Sequence, residues 1–112
     1  MQDRLNTIFE NQRLLQSCMG NPMGAGQEGV YHNIMGIINE TQEVLDEINW
    51  KRWKKDFPAY KKVDMDKLLV ELTDILQFWV NACQAMGFSD DDVFAALTGK
   101  WEINHDRIKE NY

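Results

Sequence analysis

The chain has 112 residues, a length typical of one domain, and its 44% hydrophobic residues are enough for a single buried core. The formal net charge of -6 disfavours binding to nucleic acid polymers or anionic membranes, and the composition is not that of a disordered protein. The first residues lack the apolar segment of a signal peptide, and no stretch approaches the roughly 18 apolar residues of a membrane span. We therefore expect one cytoplasmic domain over residues 1–112.

The two cysteines, Cys18 and Cys83, form no CxxC pair and no cysteine–histidine metal pattern. Free cysteines are among the most buried residues in globular proteins. Both side chains are therefore expected to be buried, reduced thiols, in keeping with a cytoplasmic setting.

The first half of the chain predicts two helices separated by a loop. Apolar residues recur at helical spacing from Leu5 to Leu15, which predicts a helix over residues 3–19. The segment GNPMGAGQEG at 20–29 holds four glycines and a proline, so it is predicted to be a loop. A second helix is predicted over residues 30–53, ending in the basic run KRWKK, because cations favour a helix C-terminus.

The second half predicts two more helices. Asp64 is a plausible N-cap and Gly87 a plausible stop for a helix over residues 65–86. A fourth helix is predicted from Ser89 towards the C-terminus, because Ser89 and Asp92 approximate a capping box. With no strand pattern of useful length, the chain is predicted to be an all-α, four-helix bundle whose wide apolar faces pair with other copies.

Acidic residues stand at helical spacing on two of these helices. Glu40, Glu43 and Glu47 lie within about 60° of one helix circumference, so they form one negative stripe. Glu71 and Asp74 repeat the spacing of three residues inside the apolar run LLVELTDILQFWV. Two facing helices of this kind can bring four carboxylates into one cleft.

An acidic side chain on an apolar helix face can point outward, pair with a base or bind a metal. Hard cations such as Mg²⁺ take carboxylate oxygens together with substrate phosphates. The spacing alone does not distinguish Mg²⁺ from Mn²⁺, or a hydrolase from a di-iron bundle. A solvated acidic face is the common alternative.

The acidic motifs resemble those of a known superfamily. ETQE at 40–43 followed by ELTD at 71–74 is similar to the ExxE…ExxD signature of the all-α nucleoside triphosphate pyrophosphohydrolases, which include the MazG proteins and the dimeric dUTPases. The string ETQEVLDEINWKRWKK resembles a dimeric dUTPase helix, with Glu47, Lys51 and Trp53 at the corresponding positions. The tail KWEINHDRIKENY resembles the phosphate-binding end of that subgroup, and the likeness extends over residues 34–112.

The resemblance implies Mg²⁺-dependent hydrolysis of a nucleoside triphosphate, in the first place dUTP, to the monophosphate and pyrophosphate. The resemblance also implies that the protein assembles into a homodimer or a homotetramer. By residue carry-over, the magnesium ligands would be Glu40, Glu43, Glu71 and Asp74, with Glu40 or Glu43 as the general base. The phosphate and substrate contacts would be Lys100, Asn104, Arg107 and Tyr112.

Two aromatic residues and a loop are further candidates. Trp53 is expected to contact the base, whereas Trp50 is expected to pack; an aromatic pair at this spacing is more often core or dimer packing. His105 is either a hydrogen-bond donor to the nucleotide or an ordinary surface histidine. The loop at 20–29 either closes over substrate or simply connects two helices.

The chain departs from the dimeric dUTPases at two places. Asp46 stands where that subgroup usually carries Asn, and Gln16-Ser17 stand where its first helix has Asn-Asp. The chain is also shorter than a typical dimeric dUTPase. A MazG-like pyrophosphatase for another nucleotide, such as dCTP or a non-standard nucleotide, is therefore an alternative, as is a non-enzymatic helical interaction module.

Overall fold

The computed structural model describes residues 3–48, 53 and 62–110. These ranges contain four helices: α1 (Arg4–Cys18), α2 (Gly26–Asp46), α3 (Met65–Ala85) and α4 (Asp90–Lys109). No strand occurs within them, which confirms the predicted all-α class. No helix among these residues is both long and apolar enough to cross a bilayer.

Three of the helices begin at a side-chain cap. The Asp3 carboxylate accepts a hydrogen bond from the Asn6 backbone (3.0 Å), and the Asp64 carboxylate accepts one from the Lys67 backbone (3.1 Å). Ser89 and Asp92 form a complete capping box, as the sequence predicts. Each cap satisfies backbone N–H groups that have no partner inside the helix, which fixes where the helix starts.

The bounds of α2 differ from those predicted. The helix begins at Gly26 rather than at residue 30, and the acidic Glu28 in its first turn suits the positive end of the helix dipole. The helix ends at Asp46 rather than at Trp53. At Glu47 the backbone N–H turns to the carbonyl of Val44, which closes the last turn, and the Glu47 side chain reaches Lys67 on α3.

Helices α2 and α3 form the closest pair in the fold, and they run antiparallel. A Cβ atom added at Gly29 would lie 2.8 Å from the Ala85 Cβ, and one added at Gly36 would lie 2.7 Å from the Phe78 ring. At the other end, Lys67 Nζ lies 3.1 Å from Glu47 Oε1. As residue numbers rise along α2, those of the facing residues on α3 fall by the same amount.

This register defines the seam between the two helices. Interpolation between the observed contacts places Asn33 opposite Asn81, Glu40 opposite Asp74 and Glu43 opposite Glu71. Together with Gly29, Gly36 and Glu47, these α2 positions are spaced by three or four residues, which is the spacing of a helix–helix seam. Most such seams are apolar, but most of these facing positions carry polar residues. We call this line of facing α2 and α3 residues, from Gly29 and Ala85 to Glu47 and Lys67, the polar seam.

The apolar core of the single chain is small. Among the described residues, the buried hydrophobic side chains are those of Phe9, Val80 and Ala82. Phe9 joins α1 to α3, and the Gln84 side chain donates a hydrogen bond to the Phe9 carbonyl oxygen (2.8 Å). The Phe9 side chain and this hydrogen bond help to hold α1 on α3, while much apolar surface elsewhere is exposed.

Helix α4 contacts α1 near its own start, where Asn6 Nδ2 donates to Asp90 Oδ2 (3.3 Å). None of its residues is buried. Four of its large exposed apolar side chains lie on one face with a seven-residue repeat: Phe94, Leu97, Trp101 and Ile108. The helix thus presents an apolar stripe that nothing in the described part of the single chain covers.

The two cysteines differ in environment, contrary to the expectation that both are buried. Cys18 is exposed because it is the last residue of α1, where the chain turns into the surface connection to α2. Cys83 is partly buried on α3, and this burial raises the pKa of its thiol.

Candidate metal centre

Three of the predicted acidic residues converge on one point. One carboxylate oxygen from each of Glu40, Glu43 and Glu71 lies within 4.8 Å of the others, a separation that one cation can bridge. Glu40 and Glu43 stand on adjacent turns of α2, and Glu71 reaches them from α3. The three oxygens are brought together by the antiparallel register of the seam.

Asp74 lies beside these three carboxylates. Its negative charge contributes to raising the pKa of Glu40 and the pKa of Glu71, which places it within electrostatic reach of both. By the register of the seam it stands opposite Glu40. The structure thus gathers all four residues that the resemblance assigns to magnesium, three of them within direct bridging distance.

The carboxylates of the cluster repel one another, which helps to raise the pKa of Glu40 and of Glu71. Burial is the largest cause of the raised pKa of Glu40, followed by its hydrogen-bonding contact with Glu43 and by the charges of Glu43, Asp74 and Glu71. For Glu71, the contact with Glu43 is the largest cause of the raised pKa, followed by burial and the neighbouring charges. A shared proton or a bound cation relieves this repulsion, because either one reduces the negative charge.

Two oxygen atoms in the cluster have no partner. Glu40 Oε2 and Glu71 Oε2 are buried, and neither has a hydrogen-bond partner among the described residues. A buried carboxylate oxygen without a partner is costly, so such atoms are rare unless a ligand satisfies them. Hard divalent cations prefer this type of donor, which makes the residues present a fit for Mg²⁺.

Lys67 closes one end of the cluster. Its ammonium group pairs with Glu47 at 3.1 Å, and this hydrogen bond is the first cause of its raised pKa. Lys67 is not among the site residues predicted from the sequence. Its signal in the sequence is its position four residues before Glu71, on the same face of α3.

The predicted phosphate-binding residues lie on α4, apart from the carboxylates. Lys100 lines a groove between α3 and α4 together with Trp79 and Cys83. Asn104 and Arg107 follow on the exposed part of the helix. These three residues lie on α4, whereas the carboxylate cluster lies between α2 and α3.

The remaining predicted contacts are placed as follows. Trp53 is 71% exposed, beyond the end of α2. Trp50, Lys51 and Tyr112 lie outside the described residues. His105 is exposed on α4.

A di-iron centre is disfavoured by the ligands available. Such bundles use an ExxH motif on each of two helices. The sequence has one such spacing, Glu102 to His105, and both residues are exposed on α4. The carboxylates of α2 and α3 therefore lack the histidine partners that iron sites of this kind require.

The fold and the site together define an all-α protein that presents a carboxylate cluster between two antiparallel helices. A family model described as dUTPase matches residues 4–82, which include α1, α2 and most of α3 with all four clustered acids. The chain belongs to this dUTPase family, and at family level it is a dUTPase-like nucleotide hydrolase. No curated protein and no solved structure gives a significant match.

Proposed function

We propose that the protein hydrolyses dUTP to dUMP and pyrophosphate with the help of Mg²⁺. The observation that carries the proposal is the carboxylate cluster with two buried, unpartnered oxygens in a chain of the dUTPase family. Acidic groups of this density would repel a free triphosphate. They suit a triphosphate that arrives with its cations.

Glu40, Glu43, Glu71 and Asp74 would hold the metal. When bound, Mg²⁺ neutralises phosphate charge and acidifies a coordinated water. The residues of the chain supply positioning and proton transfer. Glu40 or Glu43 is proposed as the general base, because a carboxylate that the metal does not wholly occupy can accept the proton of the water.

The bond changes balance without a further reactant. The water oxygen forms a bond to the α phosphorus, and its proton moves to a carboxylate such as that of Glu40. The bond between the α phosphorus and the oxygen that bridges to the β phosphorus breaks, and this oxygen leaves with pyrophosphate. Lys100, Asn104 and Arg107 are proposed to bind phosphate oxygens, with Arg107 as a planar fork and Lys100 as a compact charge.

A substrate panel tests the proposal. Purified protein is incubated with Mg²⁺ and dUTP, dCTP, dTTP or dATP, and the products are separated by anion exchange. We expect dUMP and pyrophosphate in equal amounts, no orthophosphate, and no turnover once Mg²⁺ is chelated. Preferred cleavage of dCTP would favour the alternative MazG-like specificity. No turnover of any nucleotide would contradict the proposal and would favour the alternative of a non-enzymatic helical interaction module.

We also propose that the working form is a dimer in which two α4 helices pair. The apolar stripe of α4 is exposed, and the helix is acidic at its start (Asp90, Asp91 and Asp92) and basic at its end (Arg107 and Lys109). An antiparallel pair of α4 helices covers both stripes and brings each acidic end next to a basic end. The occupant that best fits this surface is therefore a second copy.

Sedimentation equilibrium tests the dimer. Wild-type protein is expected at twice the monomer mass of 13.1 kDa. Trp101→Glu should shift it to the monomer, because the change places a charge in the middle of the apolar stripe. Glu102→Gln, next to it on the same helix, is the control and should leave the mass unchanged. A wild-type monomer at micromolar concentration would contradict the proposal.

A further inference from the structure

The ion pair between Lys67 and Glu47 lies at the edge of the metal centre. Lys67 is the third residue of α3, and Glu71 lies one turn further on, about 6 Å along the helix axis. On the other side of the polar seam, Glu47 follows Glu43 by four residues, where α2 ends. The pair is therefore the layer of the seam next to Glu43 and Glu71.

The two partners of this pair are unequally buried. The Glu47 side chain is 17% exposed, whereas the Lys67 side chain is 59% exposed. Lys67 thus reaches Glu47 from the solvent side, with its Nζ atom 3.1 Å from Oε1. A lysine ammonium carries three N–H donors on a flexible four-carbon chain. Lys67 can therefore turn to a second anion that enters beside Glu47.

The charge of Lys67 acts on the metal centre without neutralising it. The hydrogen bond to Glu47 and the charges of Glu47, Glu71 and Asp64 raise the pKa of Lys67, which places its ammonium within electrostatic reach of Glu71. The pKa of Glu71 nevertheless stays above its ordinary value, because its contact with Glu43, burial and the neighbouring negative charges outweigh this one cation. The ammonium is held by Glu47 and is not part of the three-carboxylate cluster.

A metal-bound triphosphate would bring phosphate oxygens close to Lys67. Mg²⁺ is commonly shared between protein carboxylates and substrate phosphates, so its site on Glu71 also locates the phosphates. A lysine placed beside such phosphates acts as a point charge. Because Lys67 and Glu71 share one helix, the position of this charge depends on α3 alone. Lys100 and Arg107, in contrast, lie on α4, outside this helix pair.

We infer that Lys67 binds a phosphate oxygen of the metal-bound substrate, and that Glu47 holds its ammonium in place until the phosphate takes it. This rests on the proposed nucleotide hydrolysis and adds a phosphate-binding residue from α3. Glu47 then has two effects on binding. It keeps the lysine at the rim of the site, and it competes with the phosphate for the ammonium.

Titration calorimetry with the two products tests the role of Lys67 without turnover. The probes are pyrophosphate with Mg²⁺ and dUMP with Mg²⁺, which report on different phosphates of the substrate. Lys67→Met keeps the length of the side chain and removes its charge. We expect at least one probe to bind about 10-fold more weakly, the scale of one hydrogen bond to a charged group. Lys67→Arg should recover most of this loss, and Lys109→Met, the same change at an exposed position of α4, should bind both probes normally.

Glu47→Gln tests the competition. The variant releases the ammonium, so the probe that depends on Lys67 should bind about 2- to 5-fold more tightly, the scale of one exposed ion pair. In the double variant with Lys67→Met, most of this gain should disappear, which a double-mutant cycle measures. If the pair serves only to tie the end of α2 to α3, Lys67→Met and Glu47→Gln should both lower the Tm slightly and leave binding unchanged.

Separate outcomes address Lys67 and the hydrolysis. Wild-type affinity for both probes in Lys67→Met, an equal gain from Glu47→Gln with and without Lys67, or no binding of either probe by wild type would overturn the role of Lys67. Wild type that binds a probe in a Lys67-dependent manner without cleaving dUTP would support the phosphate contact and remove the proposed hydrolysis. Turnover of dUTP with the same KM in wild type and Lys67→Met would support the hydrolysis and remove Lys67 from the site.

Discussion

Neutralising Glu43 should stabilise the metal-free protein and at the same time abolish its activity. Glu43 contacts both Glu40 and Glu71, so its charge contributes to the repulsion on each side. Glu43→Gln keeps the size of the side chain and its ability to form hydrogen bonds. The variant therefore removes one negative charge from the centre of the cluster with little change of shape.

The magnitude follows from the geometry of the cluster. Two unit charges on Glu40 and Glu43 at 4.8 Å repel by about 0.9 kcal/mol when water screens them. Glu43 is exposed, so the water-screened value is the appropriate one. For a domain of this length, about 0.9 kcal/mol corresponds to a rise in Tm of about 4 °C.

Magnesium should stabilise the wild-type protein but have little effect on the Glu43→Gln variant. In wild type, Mg²⁺ at ten times its Kd should stabilise the fold by about 1.4 kcal/mol, or about 6 °C in Tm. In Glu43→Gln this increment should largely vanish together with dUTP turnover. Thermal melts followed by circular dichroism, with and without Mg²⁺, measure both effects on one instrument.

Asp66→Asn is the matched control, since it removes one negative charge from the exposed first turn of α3. Loss of an acid at a helix N-terminus should lower the Tm slightly and leave turnover intact. A lower Tm for metal-free Glu43→Gln, or turnover and Mg²⁺ stabilisation equal to those of wild type, would refute the account of the cluster.

Three further predictions concern pH, phosphate binding and the core. Because the pKa of Glu40 is raised, the folded, metal-free protein binds a proton at pH values between 4.5 and the raised pKa, where the unfolded chain has released it. This contribution to stability is complete below the ordinary pKa of 4.5 and is lost as the pH rises through the raised value. Melts between pH 4 and pH 8 should therefore show a Mg²⁺-induced rise in Tm that grows with pH. Arg107→Ala should raise the KM for dUTP about 10-fold or more with a smaller change in kcat, whereas the control variant Lys109→Ala should change neither constant. Steady-state measurements of pyrophosphate release give KM and kcat for both variants, and an unchanged KM in Arg107→Ala would remove Arg107 from the site. Phe9→Ala should lower the free energy of unfolding by about 3–5 kcal/mol, because Phe9 is 2% exposed in a very small core. Urea unfolding measures this loss, and a loss under about 1 kcal/mol would show that α1 is held mainly by other contacts.

Much of the fold can be predicted from the sequence because the helices carry clear apolar periodicity and recognisable caps. Asp64 and Ser89 mark helix starts through their own side chains, and both act as predicted. The end of α2 at Asp46 could not be predicted in this way. No glycine or proline stops the helix there, and the Lys67 partner of Glu47 is distant in the sequence.

The carboxylate cluster could be predicted only in part. Helical spacing shows that Glu40 and Glu43 share a face, and that Glu71 and Asp74 share another. The distance between the two pairs depends on the register of α2 against α3, which the spacing on a single helix does not contain.

The position of α4 shows a different limit of sequence reading. Its apolar stripe predicts burial, yet its residues are exposed in the single chain. Periodicity indicates which face seeks a partner but does not indicate which helix provides it. The same ambiguity applies to Lys100 and Arg107, whose place relative to the carboxylates depends on what covers α4.

Where many helix pairs meet through leucines and valines, α2 and α3 meet through amides, a glycine and carboxylates over much of the polar seam. If the chain binds a nucleotide with its cation at these carboxylates, as proposed, the bound ligands would stabilise the folded state at this seam. Because proteolysis of a transiently opened chain follows the stability of the fold, the proposed substrate would then also slow degradation of the protein.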